Sequence, residues 1–429
     1  MRELIEEWKY FELPEIIKRK INPLDYLNWK VKKIIPLIGF RRVGKTYLLL
    51  YIAKQLGREN TLYLNFEDAR LKNIRFSDFL NAVREYYGKR RLILLLDEIQ
   101  EIEDWDRWLR TLNDIPNFFV YTSGSSSKLG LENIPSRLRG RTLSINIFPL
   151  DFEEFMNFKG EKIDIPTSIL LSYLKEYLEF GGLPEVVLEN SIGKKLLTAE
   201  EYFNTFVSRD LVEKYKIRNE AAIKYIIRYL FDTAHFTSSK LYNSLKSSRY
   251  EIGKGTLLRY IDYLKESFLF HLLYNYGSLK KREQYPKKVY VVDNIFLRKF
   301  SFKSGIGRWM ENLVAIDLLR RKRYYGKDYE LFYFKTKEGY EVDFLVKEGL
   351  RITKLIQATY ANSFDEIDHR EIRALLHAKE LFKKDKPELL IITWNYEDEK
   401  QVSWFGKKGR VKFIPLWKWL LQISQLKFQ

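Results

Sequence analysis

The sequence contains no cysteine among its 429 residues, which excludes disulfides and thiolate metal sites. It also lacks long apolar runs. The longest, such as LILLL at 92–96, have the length of a strand and are too short to cross a bilayer. The first twenty residues carry an early pair of acids and no apolar core, unlike a secretory signal. These absences predict a cytoplasmic protein without membrane association.

The composition is otherwise that of a globular protein, with 45% hydrophobic and 31% charged residues. The chain is too long for one ordinary core, so roughly two to four domains are expected. The formal net charge is +18, which favours polyanionic partners such as double-stranded DNA. A bias toward solubility or of lineage would produce the same charge, so a DNA partner is one of two interpretations.

A glycine loop, GFRRVGKT at 39–46, fits the pattern G-x-x-x-x-G-K-[ST]. A predicted strand (32–38) precedes it and a predicted helix (46–56) follows it, which is the context that phosphate binding requires. Glycines let backbone N–H groups turn toward phosphate oxygens, and the helix N-terminus adds positive potential. Lys45 is expected to reach the β- and γ-phosphates of ATP, and Thr46 to bind Mg²⁺. The predicted ATP-binding residues are Gly39, Phe40, Arg41, Arg42, Val43, Gly44, Lys45, Thr46 and Tyr47.

Two acids follow the apolar strand in RLILLLDEIQ, residues 91–100. The pattern is typical of a central parallel strand whose tip enters an active site. Asp97 is predicted to bind Mg²⁺, and Glu98 to orient and deprotonate the attacking water. A helix cap is the alternative role for these acids. The paired Asp-Glu favours ATP hydrolysis over a switch or kinase site.

Small polar residues end another predicted strand, NFFVYTSGSS at 117–126. Thr122, Ser123 or Ser125 could hydrogen-bond the water or the γ-phosphate, with a serine-rich turn as the alternative. Ser123 is taken as the catalytic candidate. The strand TLYLNFED (61–68) likewise ends in acids, which either lie near the site or cap the next segment.

A basic cluster lies in SRLRGRTLSINIFPLDFEEF, residues 136–155, and contains Arg137, Arg139 and Arg141. An ATPase that works as an oligomer needs a cation delivered to the neighbour's γ-phosphate. These arginines are candidates for such a finger in a homo-oligomer. A solvated basic loop is the alternative.

Five segments together resemble the AAA-type P-loop ATPases of archaea and bacteria, in which an ATPase core precedes an uncharacterised C-terminal domain: GFRRVGKT, LDEIQ, TSGSS, SRLRGRTLSINIFPLDFEEF and FGGLPEVV (180–187). The resemblance covers about residues 8–347. It implies the usual roles for Lys45, Thr46, Asp97 and Glu98. It also implies that Arg139 and Arg141 act as γ-phosphate sensor or finger.

The middle of the chain is predicted to be helical. Helices in 165–220, broken at Gly181–Gly182, are expected to form a lid over the nucleotide. Three helices and a strand pair in 221–292 form a winged-helix pattern, which binds either DNA or protein. In that fold a groove would be faced by Lys254, Thr256, Arg259 and Tyr260, and the basic run 280–282 would lie in the wing.

From Gly305 the predicted order is helix, three strands, helix, strand, which resembles the core of PD-(D/E)xK nucleases. Glu311 and Asp343 match two of that family's metal-binding acids. Gln357 stands in place of the third-strand Glu and Thr359 in place of the Lys, which argues against DNA cleavage. The shape would then serve DNA binding or assembly. A purely structural alternative pairs the two acids with Arg308 or Lys337.

The sequence therefore predicts an α/β protein of four parts: a P-loop NTPase core of AAA/ASCE type with a parallel sheet (1–158), a helical lid (159–220), a winged helix (221–300) and a C-terminal α/β nuclease-like domain (301–429). The predicted function is Mg²⁺-dependent ATP hydrolysis coupled to DNA-associated conformational change or assembly. The alternatives are a nucleotide-dependent signalling or stress-response switch acting on a protein partner, and an ATP-dependent nuclease.

Overall fold

The computed structural model describes residues 1–27, 30–124, 138–303 and 305–421. The chain divides into two compact units. The first comprises Met1–Phe148 with Glu266–Phe268, and the second comprises Pro149–Lys265 with Leu269–Gln429. Within the described residues, no helix is both long and apolar enough to span a membrane.

The first unit consists of a sheet with helices packed on it. Its helices are α1 (Arg2–Tyr10), α2 (Lys45–Leu56), α3 (Phe76–Tyr87) and α4 (Trp105–Asp114). Its strands are β1 (Ile35–Ile38), β2 (Thr61–Asn65), β3 (Leu92–Asp97), β4 (Phe118–Gly124) and β5 (Ile145–Asn146). Strand β3 is buried along its whole length, as its continuous apolar run predicts for a central parallel strand. The predicted strand, glycine loop and helix around residue 39 are confirmed.

All neighbouring strands in this sheet are parallel, in the order β2-β3-β4-β1-β5. Their carboxyl ends therefore lie along one edge. Strand β4 separates β1, which leads into the glycine loop, from β3, which ends in the two acids. Because ligands of open α/β sheets bind outside the carboxyl ends, this edge is where the predicted site residues should meet.

Helices predominate in the first part of the second unit. They are α5 (Phe152–Phe158), α6 (Thr167–Phe180), α7 (Pro184–Leu188) and α8 (Ile192–Thr205), followed by a π-helical stretch, Phe206–Glu213. The break at Gly181–Gly182 is confirmed, since α6 ends just before it and Gly181 adopts φ +70°. The amide of Gly182 donates to Asp293 at 2.7 Å. A lid role for these helices stays a prediction.

Next come helices α9 (Glu220–Asp232), α10 (Ser238–Ser247), α11 (Lys254–Glu266) and α12 (Leu279–Gln284), with strands β6 (His235–Phe236), β7 (Phe270–Leu273) and β8 (Lys287–Val291). The strands form an antiparallel sheet in the order β6-β8-β7. The prediction that Tyr260 faces a groove is wrong, because its side chain is buried. The basic run 280–282 lies on α12 rather than in an extended wing, because Ser278 caps a helical turn there. Assignment as a winged helix stays a prediction.

The unit closes with helices α13 (Asn294–Phe300), α14 (Ile306–Tyr324), α15 (His369–Leu381) and α16 (Leu416–Leu421), and strands β9 (Tyr329–Lys335), β10 (Glu341–Glu348), β11 (Arg351–Ala358), β12 (Glu388–Thr393), β13 (Asp398–Trp404) and β14 (Lys407–Pro415). The strands form a mixed sheet in the order β13-β14-β12-β11-β10-β9. The predicted helix, three strands, helix and strand are present. The hairpin β13–β14 and α16 were not predicted.

Candidate active site

The glycine loop joins the carboxyl end of β1 to α2. Three residues in it have positive φ: Gly39 at +156°, Arg42 at +64° and Gly44 at +95°. Lys45 is buried, and its Nζ donates to the carbonyls of Gly39 at 3.1 Å and Phe40 at 3.0 Å. The ammonium is thus held inside the curve of the loop. Since Gly44 is the N-cap of α2, that position offers no capping side chain to the first turn.

The other predicted loop residues divide by exposure. Phe40 and Val43 are buried and anchor the loop in the core. Arg42 and Tyr47 are exposed, and Arg41 is half-buried. Of these residues, only Arg41, Arg42 and Tyr47 have side chains that a nucleotide could reach. Phe40 and Val43 could contact it only through their backbone groups.

Residue 39 must be glycine because the segment that follows β5 passes very close to it. A Cβ added there would lie 2.2 Å from the carbonyl oxygen of Ile147. The amide of Ile147 donates to Ile38 at 2.6 Å and holds the two segments together. Any side chain at residue 39 would displace the start of the loop.

Asp97 is the centre of a hydrogen-bond network at the sheet edge. Its Oδ2 accepts from Thr46 Oγ1 at 2.7 Å and from Tyr63 Oη at 2.9 Å, and its Oδ1 accepts from the Ser123 hydroxyl. The Asp97 side chain is almost completely buried. The structure therefore brings together three residues that the sequence singled out, Thr46, Asp97 and Ser123.

Glu98 follows directly, at a left-handed position with φ +50°. Its amide donates to Ser123 Oγ at 3.4 Å, and its carboxylate accepts from the Gln100 side chain. Burial raises the pKa of Glu98; Lys45 opposes this and Asp97 adds to it. A buried carboxylate with a raised pKa has the properties of a general base.

Three nearby residues were not predicted. Arg19 is buried, and its guanidinium donates to the carbonyls of Val43 and Phe148, both at 3.0 Å, so it braces the loop from behind. Tyr63 and Gln100 hold the two acids. Tyr63 could have been found as the residue of β2 that points to the same side as Asn65, the register partner of Asp97. No sequence signal marks Arg19.

The backbone around Gly140 and Arg141 lies at the opposite edge of the sheet. The carbonyl of Arg141 accepts from Ile34 at 2.9 Å, beside the amino end of β1. At about 3.3 Å per residue, that is roughly 16 Å along the strand from Gly39. This placement of the Arg141 backbone does not favour a γ-phosphate sensor within one chain, and the sensor role of Arg139 or Arg141 stays a prediction. A finger reaching another copy stays a prediction.

Other predicted polar residues lie outside this network or outside the described residues. Thr122 neighbours Ser123 on β4 and therefore points to the opposite side of the sheet. Asp68 caps a short helical turn by accepting from the amide of Arg70 at 2.9 Å. Ser125 and Arg137 fall outside the described residues.

The acids matched to the nuclease pattern meet in the second unit. Lys288 Nζ lies 2.8 Å from Glu311 Oε1 and 2.8 Å from Asp343 Oδ1. The structural alternative paired these acids with Arg308 or Lys337, whereas their salt-bridge partner is Lys288. Gln357 occupies the predicted third position on β11.

Comparisons with known proteins divide the chain into three segments. Residues 31–156 match the family described as "AAA domain", and residues 171–302 and 306–419 match two domains of unknown function, DUF8612 and DUF4143. The first match agrees with the predicted AAA-type P-loop ATPase core. Neither of the other two supports or excludes a winged helix or a nuclease-like fold.

Two similar proteins are described as uncharacterised. The protein MJ1544 of Methanocaldococcus jannaschii is 36% identical over 91% of this chain and 88% of its own length. A Haemophilus influenzae protein is 28% identical over 90% of this chain and 93% of its own length. Among solved structures, the Thermotoga maritima RuvB Holliday junction branch migration motor aligns with 63% of this chain and 89% of that chain, at 16% identity and a TM-score of 0.30. That likeness is too weak to support an inference.

Proposed function

Since this chain belongs to the same family as the uncharacterised MJ1544 and carries an AAA domain, we propose that it binds ATP with Mg²⁺ and hydrolyses it. The observation that carries the proposal is the 2.7 Å hydrogen bond between Thr46 and Asp97, beside the loop that encloses Lys45. Two elements far apart in sequence thereby place a phosphate-binding ammonium and a pair of hard oxygen donors at one sheet edge.

The residues present fit a Mg²⁺ ion. The Thr46 hydroxyl and the Asp97 carboxylate would hold it, with Ser123 and Tyr63 keeping the carboxylate oriented. Bound Mg²⁺ would neutralise phosphate charge. Lys45 would donate to phosphate oxygens in place of the loop carbonyls it now contacts. Glu98 would accept a proton from the attacking water after exchanging its bond with Gln100.

Phosphate release from ATP tests this proposal. Replacing Lys45 by Ala should lower the rate by about 100-fold or more, since a preorganised donor to the reacting group is lost. Lys54→Ala is the matched control, because Lys54 is an exposed lysine on the same helix. Equal rates for the wild type and Lys45→Ala would refute the site. Omission of Mg²⁺ should abolish release in the wild type and the control alike.

We further propose that hydrolysis is coupled to DNA. The net charge of +18 and the exposed Lys254 and Arg259 at the start of α11 support this. Duplex binding should weaken steeply with salt. Lys254→Ala/Arg259→Ala should reduce the slope by roughly 2, because two DNA phosphates would no longer be neutralised. Lys383→Ala/Lys384→Ala removes the same charge elsewhere and should change the slope less.

The same measurements separate the alternatives. Weak DNA affinity combined with oligomerisation that depends on nucleotide would favour the switch acting on a protein partner. Mg²⁺-dependent nicking of plasmid DNA that disappears in Asp343→Ala would favour the nuclease. Gln357 and Thr359 stand where the nuclease pattern has Glu and Lys, which argues against the nuclease.

A further inference from the structure

Three carboxylates in the second unit surround one buried lysine. Lys288 Nζ lies 2.8 Å from Glu311, 2.8 Å from Asp343 and 3.1 Å from Glu341. The lysine side chain is only 3% exposed. The acids come from two elements, α14 and β10, and the lysine from a third, β8. We name these four residues the lysine-centred cluster.

Strand β8 is fixed in place, so the ammonium cannot easily leave. The side-chain amide of Asn312 on α14 accepts from the amide of Val291 and donates to its carbonyl, both at 2.8 Å. Tyr290, two residues after Lys288 and on the same face of the strand, donates to Glu311 at 2.7 Å. The lysine is therefore delivered to the acids by a strand that is itself hydrogen-bonded to their helix.

Gln357 is engaged in the backbone rather than directed at the centre of the cluster. Its Oε1 accepts from the amide of Asp343 at 2.8 Å, and its Nε2 donates to the carbonyl of Glu341 at 2.8 Å. These bonds lie where the pairing of β10 with β9 shifts register, between Val342 and Leu345. Gln357 therefore links β11 to the backbone of β10, and its oxygen accepts a backbone amide.

Lys288 interacts electrostatically with all three acids. Burial raises the pKa of Asp343 to about 7, against the attraction of Lys288. Although burial alone would lower the pKa of Lys288, Asp343 and Glu311 raise it well above the ordinary value. Glu341 is also paired with a second cation, Lys335, at 2.8 Å, whereas Glu311 and Asp343 have Lys288 as their salt-bridge partner.

Carboxylates gathered around one point are the ligand set of a hard divalent cation. Within the described residues, no group of acids and histidines is placed to hold a metal as the side chains stand, so metal binding here would require the acids to close in on the space that Lys288 fills. We propose that Lys288 is the resident cation of this carboxylate site and excludes divalent metal from it. The ammonium comes from the segment matched to DUF8612 and the acids from the segment matched to DUF4143. The site thus serves as a metal-free tie between the two segments. This inference is independent of the proposed ATPase activity.

Removing the ammonium should create a metal site, which Mn²⁺ titration of the full chain without nucleotide can detect. Lys288→Ala should bind one Mn²⁺ more per chain than the wild type, and Lys288→Ala/Asp343→Asn should lose it. Mn²⁺ should also raise the melting temperature of Lys288→Ala but not that of the wild type. Lys335→Ala is the matched control: it removes a lysine paired with Glu341, leaves Lys288 in place, and should gain no Mn²⁺ site.

A folded Lys288→Ala that binds no additional Mn²⁺ would overturn the proposal. If that variant does not fold, Lys288→Gln preserves more of the side-chain volume and is titrated in its place. A second test, on chains that keep the lysine, can be made whether or not Lys288→Ala folds. The Mn²⁺ isotherms of the wild type and Asp343→Asn should coincide. A metal bound by the wild type and lost in Asp343→Asn would show that Lys288 yields its position to the metal, and the inference would fail.

Discussion

Replacing Gly39 by Ala tests whether the loop depends on the approach of the chain after β5. The new Cβ would lie 2.2 Å from the carbonyl oxygen of Ile147, so either the loop or the segment after β5 must move. Overpacking of this kind costs about 1–3 kcal/mol. Loosening the 2.6 Å bond from Ile147 to Ile38 removes a further ~1 kcal/mol. The first unit should lose about 2–4 kcal/mol.

The chain has two units, so the assay must report on the first one alone. Hydrogen exchange of the buried amides of β3 does so. A loss of about 2–4 kcal/mol corresponds to exchange roughly 30- to 1,000-fold faster. Affinity for a fluorescent ATP analogue should fall at least ~10-fold, since the carbonyls of Gly39 and Phe40 that hold Lys45 are displaced.

Gly88→Ala provides the comparison. Gly88 has φ +60°, and an added Cβ would meet nothing within 4 Å. Its cost is about 1–3 kcal/mol of backbone strain, because φ +60° with ψ −134° is a conformation that only glycine adopts readily, and nucleotide affinity should not change. The reasoning from the close approach would be refuted if Gly39→Ala had the same exchange rates for the β3 amides and the same affinity for the ATP analogue as the wild type.

Three other perturbations follow from the geometry. Burial raises the pKa of Glu98 above the ordinary 4.5. As the pH is lowered, the rate of phosphate release should therefore begin to fall at a pH above 4.5, because protonated Glu98 cannot act as the base. Glu98→Gln should be more stable than the wild type at pH 8, a difference that closes as the pH falls toward 4.5; thermal unfolding at several pH values with no such trend would contradict this. In Gly182→Ala the new Cβ would lie 2.3 Å from the Leu150 carbonyl oxygen, so the free energy of unfolding in urea should fall by about 2–4 kcal/mol. In Gly193→Ala, in α8, the nearest atom would be 3.9 Å away, so the free energy of unfolding should rise by ~0.5–1 kcal/mol. If Arg139 or Arg141 acts on another copy, mixing Lys45→Ala with Arg139→Ala/Arg141→Ala should restore phosphate release that neither variant shows alone; a mixture as inactive as its components would exclude the finger.

Sequence patterns predicted strands β1 to β4 of the first sheet because they are short continuous apolar runs next to marked turns, whereas the two-residue strand β5 was not predicted. The glycine loop and the Asp97-Glu98 pair were identified for the same reason: a strand that ends abruptly in charge has few structural explanations. Tyr63 was missed because a tyrosine within TLYLN resembles any partly buried aromatic residue. Its role depends on the strand order, which places β2 beside β3.

Long-range pairing explains the miss at Lys288, whereas Tyr260 and the β13–β14 hairpin could have been predicted from local spacing. Lys288 lies in KKVYVVD, where a lysine next to another lysine indicates an exposed strand end, yet its ammonium is buried among acids up to 55 residues away. Tyr260 was placed on a surface because it follows basic residues, although the spacing from Leu257 to Leu264 puts it on the buried face of α11. The β13–β14 hairpin alternates polar and apolar residues around Phe405-Gly406, a pattern that could have predicted it.

The lysine-centred cluster has a consequence for recombination between relatives. A crossover placed at 303–305, between the two matched segments, would separate an ammonium from the anions it neutralises. The hybrid would then have uncompensated charge in its interior wherever the other parent lacks a cation at the position of Lys288. Chimeras joined ahead of residue 287 should therefore fold far more often than those joined at 303–305. Among relatives, the residue at position 288 should vary together with the residues at positions 311, 341 and 343.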